Sequence, residues 1–369
     1  MTTRFFLTSA ATTLLAAIAC GPAHAAPDLE AAQAIVDEHS QIPTFEPPGE
    51  PFDAKACMAD KKLFSVPTSS SIPFVDGIET SMEEVAEEIG FEFQQWKNQA
   101  QPTQWVQGME FAINNGFDGI DLMAGIIPSS LGPQAAAAKA AGIQVFATHW
   151  ADTTTPDDPA ATHSFPIPYT RVGEIIGAWI TVKTEGKANV LIIGSDDVPA
   201  TTPYRKSVQA TLDKLCDGGC SHTYVNVPVA EWATKIQTNV QGALIADPTI
   251  NYIVPIYDSM SQFVLPALTI TGKKGQVKIA TFNGTPFVID LVRQGEVEMD
   301  IGESLGWIAR STIDAEMRSL CGLDVPEDLY VPLLIFDKDN AETAGVPAGF
   351  NQGYGDEHVS GYRKLWGLE

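Results

Sequence analysis

The sequence is short of positive charge: 22 lysines and arginines stand against 46 aspartates and glutamates, for a formal net charge of −24. A surface of that sign repels phosphate backbones and anionic membranes, which argues against nucleic acid as a partner. Cysteine is scarce, with five residues in 369. Setting aside Cys20, the remaining four are an even count of the kind that forms disulfides in an oxidising compartment. Cys216 and Cys220 flank the turn Asp217-Gly218-Gly219 and can close a small loop, which leaves Cys57 to pair with Cys321. The six histidines are scattered, and no pair stands at the spacing a zinc site needs. The chain also lacks a Walker A sequence, a G-x-G-x-x-G turn and an H-E-x-x-H pair, so no nucleotide cofactor or catalytic metal is expected.

What is present begins with a leader. Arg4, the apolar run Leu7 to Ala19 and the small-x-small triplet Ala23-His24-Ala25 are the three parts of a secretory signal peptide, with cleavage predicted after Ala25. The run is too short for a permanent anchor, and no other stretch approaches the ~20 apolar residues that cross a bilayer. Cys20 offers a rival reading as a lipoprotein anchor, against which Ala17 stands where a larger aliphatic is usual. The expected location is therefore the periplasm.

Residues 26–59 read as an N-terminal extension: a short helix around Leu29 to Glu38, then a turn-rich stretch with Pro43, Pro47, Pro48 and Pro51. From Lys61 onward, short apolar runs alternate with helical periodicity. The first unit is Lys61 to Phe74, a strand ending in Thr68-Ser69-Ser70-Ser71, followed by a helix whose face is Ile78, Met82, Val85, Ala86 and Ile89. The pattern continues to His149, breaks at the proline-rich segment Pro156 to Pro168, and restarts at Val172. Strands separated by helices of this length predict parallel sheets with right-handed crossovers. The fold class is α/β, with two doubly wound lobes and ligands sought beyond the carboxyl ends of the strands.

Several phrases carry a resemblance. They are Ile72-Pro73-Phe74, Lys139 to Val145, Asn189 to Gly194, Tyr257-Asp258-Ser259-Met260, Phe282 to Pro286 and Gly295 to Glu303. In this order and spacing the chain resembles the sugar-type periplasmic binding proteins of ABC importers, the group typified by the ribose-binding protein. The resemblance implies two lobes joined by a three-strand hinge that close on a small ligand without chemistry, with a transporter permease as partner and a monomeric state. It divides the chain into lobe 1 at 60–167 plus 304–332 and lobe 2 at 168–303 plus 333–369, where the C-terminal tail is expected to cover the second lobe.

Carried over position by position, the stacking aromatic falls on Phe74, and the first-lobe polar pair falls on His149-Trp150. The second-lobe arginine falls on Arg205, and Tyr257, Asn283 and Glu303 occupy the remaining ligand positions. Sugar or polyol recognition needs aromatic faces and bidentate polar groups. Phe74, Trp150 and Tyr257 supply the first; Ser70, Ser71, Asp152, Arg205, Asp258, Asn283 and Glu303 supply the second. The departures from the family pattern fit an unusual sugar, a polyol or a less polar small molecule. Each candidate also has a purely structural role open to it: the aromatics in the core, His149 in its turn, Arg205 on a helix surface, Asp258 as a helix cap, Glu303 as a hinge salt bridge. An enzyme alternative rests on Gly302-Glu303-Ser304-Leu305-Gly306, a G-x-S-x-G match, with Asp324, Asp328 or Asp337 and His358 following in hydrolase order. No HGG-type oxyanion segment precedes it.

Overall fold

The structure, a computed structural model, describes residues 1, 26–327 and 329–369. The signal-peptide and Cys20 readings fall outside the described residues. Two helices lead the chain, α1 (Leu29–Glu38) and α2 (Ala54–Met58). The first sheet comprises β1 (Lys62–Pro67), β2 (Glu92–Gln95), β3 (Gly119–Met123), β4 (Gln144–Asp152) and β5 (His163–Ile167), in the order β2-β1-β3-β4-β5. All its pairings are parallel, and its crossovers are α3 (Pro73–Ile89), α4 (Pro102–Asn114) and α5 (Gly132–Ala140).

Local chemistry sets these elements. Pro73 opens α3, where a missing N–H costs nothing, and Gly90 ends it in the left-handed conformation at φ +96°. The buried face is Ile78, Met82, Val85, Ala86 and Ile89. Inside the proline-rich break lies β5, at the sheet edge, where Pro166 removes no ladder bond that the sheet requires.

The second sheet has six strands in the order β11-β10-β9-β8-β6-β7. They are β6 (Asn189–Gly194), β7 (Ser221–Asn226), β8 (Tyr252–Pro255), β9 (Lys278–Asn283), β10 (Met299–Gly302) and β11 (Leu334–Asp337). Its helices are α6 (Tyr169–Thr184), α7 (Thr201–Cys216), α8 (Trp232–Ala246), α9 (Ser261–Ile270) and α10 (Pro286–Gln294). The edge strand β11 runs antiparallel to β10, because the chain has returned from the first lobe to reach it. Between them α11 (Leu305–Leu320) packs on α3 in the first lobe.

Three crossings thus join the lobes: β5 to α6, β10 to α11, and α11 to β11. Two further passages supplement them. Ala32 and Val36 of α1 are buried in the second lobe's core, whereas Met58 of α2 is buried in the first. The backbone N–H of Ile335 donates to the carbonyl of His39, and that of Phe52 to the carbonyl of Leu365, so residues 40–51 pass from one lobe to the other. The tail makes the reverse journey. Tyr354 sits in the second core, but Tyr362, Leu365 and Trp366 of α12 (Glu357–Leu365) and its C-cap sit in the first. The expectation that the tail covers the second lobe is corrected here: α12 carries aromatic rings, and the apolar surface that receives them is α11 and the N-terminal extension around Phe45 and Phe52. Trp366 donates its indole N–H to Asp314, which also accepts from Arg318, and Arg318 in turn bonds the carbonyl of Glu50.

Both disulfides form as the cysteine spacing anticipates, Cys57 with Cys321 and Cys216 with Cys220.

Candidate functional site

A cavity of about 40 Å³ lies between the lobes at the carboxyl ends of both sheets. The first lobe contributes Thr68, Ile72, Phe74, Val75, Ala124 and His149 to its wall. The second contributes Tyr169, Val198, Val229, Trp232, Tyr257, Ser259 and Asn283. The volume is that of a water or two, well below the several hundred Å³ of an open ligand pocket, so the lobes stand closed on one another. A wider mouth of about 320 Å³ adjoins it, shared through Ile72, Val229, Trp232 and Ser259 and edged by Ser71, Gln99 and Gln101.

Backbone strain collects here. Of the seven non-glycine residues with positive φ among the described residues, Ala124 (+64°), His149 (+50°) and Asn283 (+146°) all line this cavity. Such conformations cost of order 1–3 kcal/mol each and persist where the surroundings over-determine them, which is characteristic of binding sites.

A chain of polar contacts crosses the cleft beside it. His149 Nε2 meets Glu303 Oε2 at 2.7 Å, and the Tyr169 hydroxyl meets His149 Nδ1 at 2.8 Å. The carboxylate can only accept, so Nε2 carries the proton and Nδ1 accepts from Tyr169. All three residues are buried. Burial first, then the nearby negative groups, holds the Tyr169 phenol well above its ordinary range, and it stays a donor. The Phe74 ring lies 5.2 Å from the imidazole.

Beneath the second-lobe wall, Asp258 accepts from the Thr285 backbone N–H at 2.6 Å and its hydroxyl at 2.7 Å, and from Ser259. These bonds fix the turn Asn283-Gly284-Thr285 at the end of β9. Burial pushes Asp258 up to about 7 against the opposing pull of the Thr285 bonds. Asp300, also buried, is held well above the carboxylate range by burial and then by repulsion from Asp258.

Of the residues singled out from sequence, Phe74, His149, Tyr257 and Asn283 stand on the cavity wall, and Ser71 edges the mouth. Asp258 and Glu303 stand one layer behind. Four others are elsewhere. Ser70 ties the strand end to Trp96 and Asn98. Trp150 is buried in a small cluster with Ala147 and Ala151, because β4 runs on through it to Asp152 rather than turning. Asp152 accepts from Thr154 and from the Thr170 N–H at 2.6 Å, so it holds the start of α6. Arg205 lies over the Tyr224 ring at 4.3 Å. The pentapeptide at Ser304 is a helix start: its hydroxyl accepts from Trp307 N–H and donates to the Phe350 carbonyl. His358 stacks on Trp307 and meets Asn351 instead.

Tyr169, Trp232, Val198 and Val229 are wall residues that the sequence did not single out. Tyr169 follows the proline-rich crossing and Val198 sits in the turn after β6, both positions at strand ends. Trp232 opens α8, and its indole donates to Ser195 Oγ at 2.7 Å while its ring lies 6.0 Å from Tyr257.

The family model of the periplasmic binding protein domain matches residues 63–323. No curated protein matches the chain. Among solved structures the chain is similar to a sugar ABC transporter protein from Yersinia enterocolitica subsp. enterocolitica 8081, with TM-score 0.71 at 15% identity, over 89% of this chain and 99% of that one. It is similar to a galactofuranose binding protein, with TM-score 0.67 at 17% identity, over 80% and 100%. A solute binding protein from Bacillus halodurans C-125 with bound myo-inositol gives TM-score 0.66 at 17% identity, over 78% and 98%. At these identities the likeness shows the fold.

Proposed function

From the premise that the chain belongs to the periplasmic binding protein family, we propose that it is an exported solute-binding protein that captures a small polyhydroxy compound, a sugar or polyol, and delivers it to an ABC importer. The observation that carries this reading is the cavity walled from both lobes, with three strained residues on its surface. A ligand touching both walls stabilises the closed arrangement over the open one, and the transporter reads that difference. The structurally similar galactofuranose binding protein and the myo-inositol complex support the ligand class. In this reading residues 60–167 with 304–332 move as one body against 168–303 with the strand that follows, and the protein acts as a periplasmic monomer released from its leader at Ala25. No helix among the described residues is long and apolar enough to cross a membrane.

The test is a thermal-shift screen of the mature protein against sugars and polyols, since a ligand held at 100 times its Kd adds about 2.7 kcal/mol to the folded state. A saturable rise in Tm with one sugar or polyol is expected. A panel of pentoses, hexoses and cyclitols that leaves Tm unmoved at millimolar concentration refutes the ligand class.

A further inference from the structure

Resting on that reading, we infer that the ligand is an uncharged ring compound carrying fewer hydroxyls than a full sugar, a deoxy sugar or a cyclic diol, seated by two apolar walls and one amide. The wall is apolar on both sides: Ile72, Phe74 and Val75 face Val198, Val229 and Trp232 across the cavity. The polar groups on it are almost all engaged with the protein. Thr68 Oγ1 donates to the Ala124 carbonyl, Ser259 Oγ to Asp258, and the Tyr257 hydroxyl is shared with Thr201. His149 spends both ring nitrogens on Glu303 and Tyr169.

Asn283 is the exception. The residue is 2% exposed and lines the cavity, and its side-chain amide has no hydrogen-bond partner among the described residues. The amide opens on the cavity and makes no hydrogen bond to the protein, so it is free for a ligand oxygen, a bond worth about 0.5–1.5 kcal/mol net. A ligand with hydroxyls around its whole ring loses more water bonds than this wall can replace, whereas C–H faces bury without loss. No lysine, arginine or ionised acid lines the cavity, so neither an anionic nor a cationic ligand finds a counter-charge. Glu303 does not alter this, because the imidazole of His149 stands between it and the ligand space.

The experiment compares pairs that differ in hydroxyl count on one frame: trans-cyclohexane-1,2-diol against myo-inositol, and L-fucose against L-galactose, by calorimetry on the mature protein. The expected result is at least tenfold tighter binding by the less hydroxylated member. Tighter binding by myo-inositol or L-galactose overturns the inference and leaves the proposed function standing. If neither these probes nor any sugar or polyol of the wider screen binds, both fall. Asn283→Gly keeps the backbone freedom that φ +146° demands and removes the amide; it should fold, weaken the preferred probe at least tenfold, and leave Tm without ligand within a few degrees. Unchanged affinity in that variant also overturns the assignment.

Discussion

The two lobes bury comparable carboxylates and put them to different use. In the first, Glu79 on α3, Asp121 on β3 and Glu316 on α11 lie together at 1% exposure or less. Ser65 donates to Glu79 and Thr148 to Asp121, yet Glu79 Oε2, Asp121 Oδ2 and both oxygens of Glu316 have no partner. Burial pushes Glu79 up to about 8 and Asp121 to about 7. In the second lobe burial also raises Asp258, to about 7, and Asp300, but Asp258 is tied at both oxygens to the turn that carries Asn283. A buried acid with an oxygen left unpartnered is pushed toward its neutral form by its surroundings, and its proton becomes part of the fold. One surrounded by donors becomes a clamp, and here it clamps the binding wall.

The lobes differ again in their disulfides, and breaking these is the largest effect expected. Cys57–Cys321 spans a sequence separation of 264, against 4 for Cys216–Cys220. Loop-closure entropy assigns about 5.6 kcal/mol to the former and about 2 kcal/mol to the latter. Urea unfolding of Cys57→Ser/Cys321→Ser beside Cys216→Ser/Cys220→Ser should show that gap. Equal losses would mean that the N-terminal extension, α11 and α12 hold together through Trp366, Asp314 and Arg318 without the covalent link.

Next in size is the proton held by the first lobe. An acid whose pKa rises on folding stabilises most below its ordinary value, and that contribution is lost as pH climbs through the folded value. For Glu79 the window runs from 4.5 to about 8, worth a few kcal/mol at roughly 1.4 kcal/mol per unit. Glu79→Gln, a permanently neutral mimic, should match the parent near pH 5 and exceed it near pH 8.5. Parallel pH profiles for parent and variant would refute the neutral-acid account. The same exchange in the second lobe removes a clamp as well as a charge, since Asp258 is raised by burial too. Asp258→Asn keeps an oxygen for the Thr285 N–H but turns its NH2 on the hydroxyls of Thr285 and Ser259 that now donate to the carboxylate, at a cost of about 0.5–1.5 kcal/mol near neutral pH, together with weaker ligand binding. A variant as stable as the parent would show that the clamp does not set the turn.

How much of this was legible depends on whether a feature is local. The extent of α1 and the buried face of α3 agree with the sequence reading, because caps and apolar periodicity act within a few residues. Four wall residues, Phe74, His149, Tyr257 and Asn283, came from the family resemblance, whose ligand positions lie at strand ends. β5 was hidden by Pro166, which only an edge strand tolerates. Tyr169 and Trp232 reach the wall only when the second lobe folds over the first. Arg205 has a helix position suited to a ligand, but the face of Tyr224 lies nearer. The acids Glu79, Asp121 and Glu316 come from three distant segments, and nothing in any one of them indicates the company it keeps.

The smallest effect compares strain in the two walls. Ala124 at φ +64° offers a methyl to the first-lobe wall and Asn283 at φ +146° an amide to the second. A left-handed alanine costs roughly 1–2 kcal/mol, and glycine there gives back about 0.5–1 kcal/mol through the unfolded chain. Ala124→Gly should therefore raise stability by a few tenths of a kcal/mol up to about 1 kcal/mol and leave affinity almost unchanged. Asn283→Gly should do the same for stability and lose binding. If both variants bind as the parent does, the strain at Asn283 belongs to the turn alone. If both lose binding, the methyl of Ala124 is a contact surface in its own right, and the two walls are equal partners in recognition.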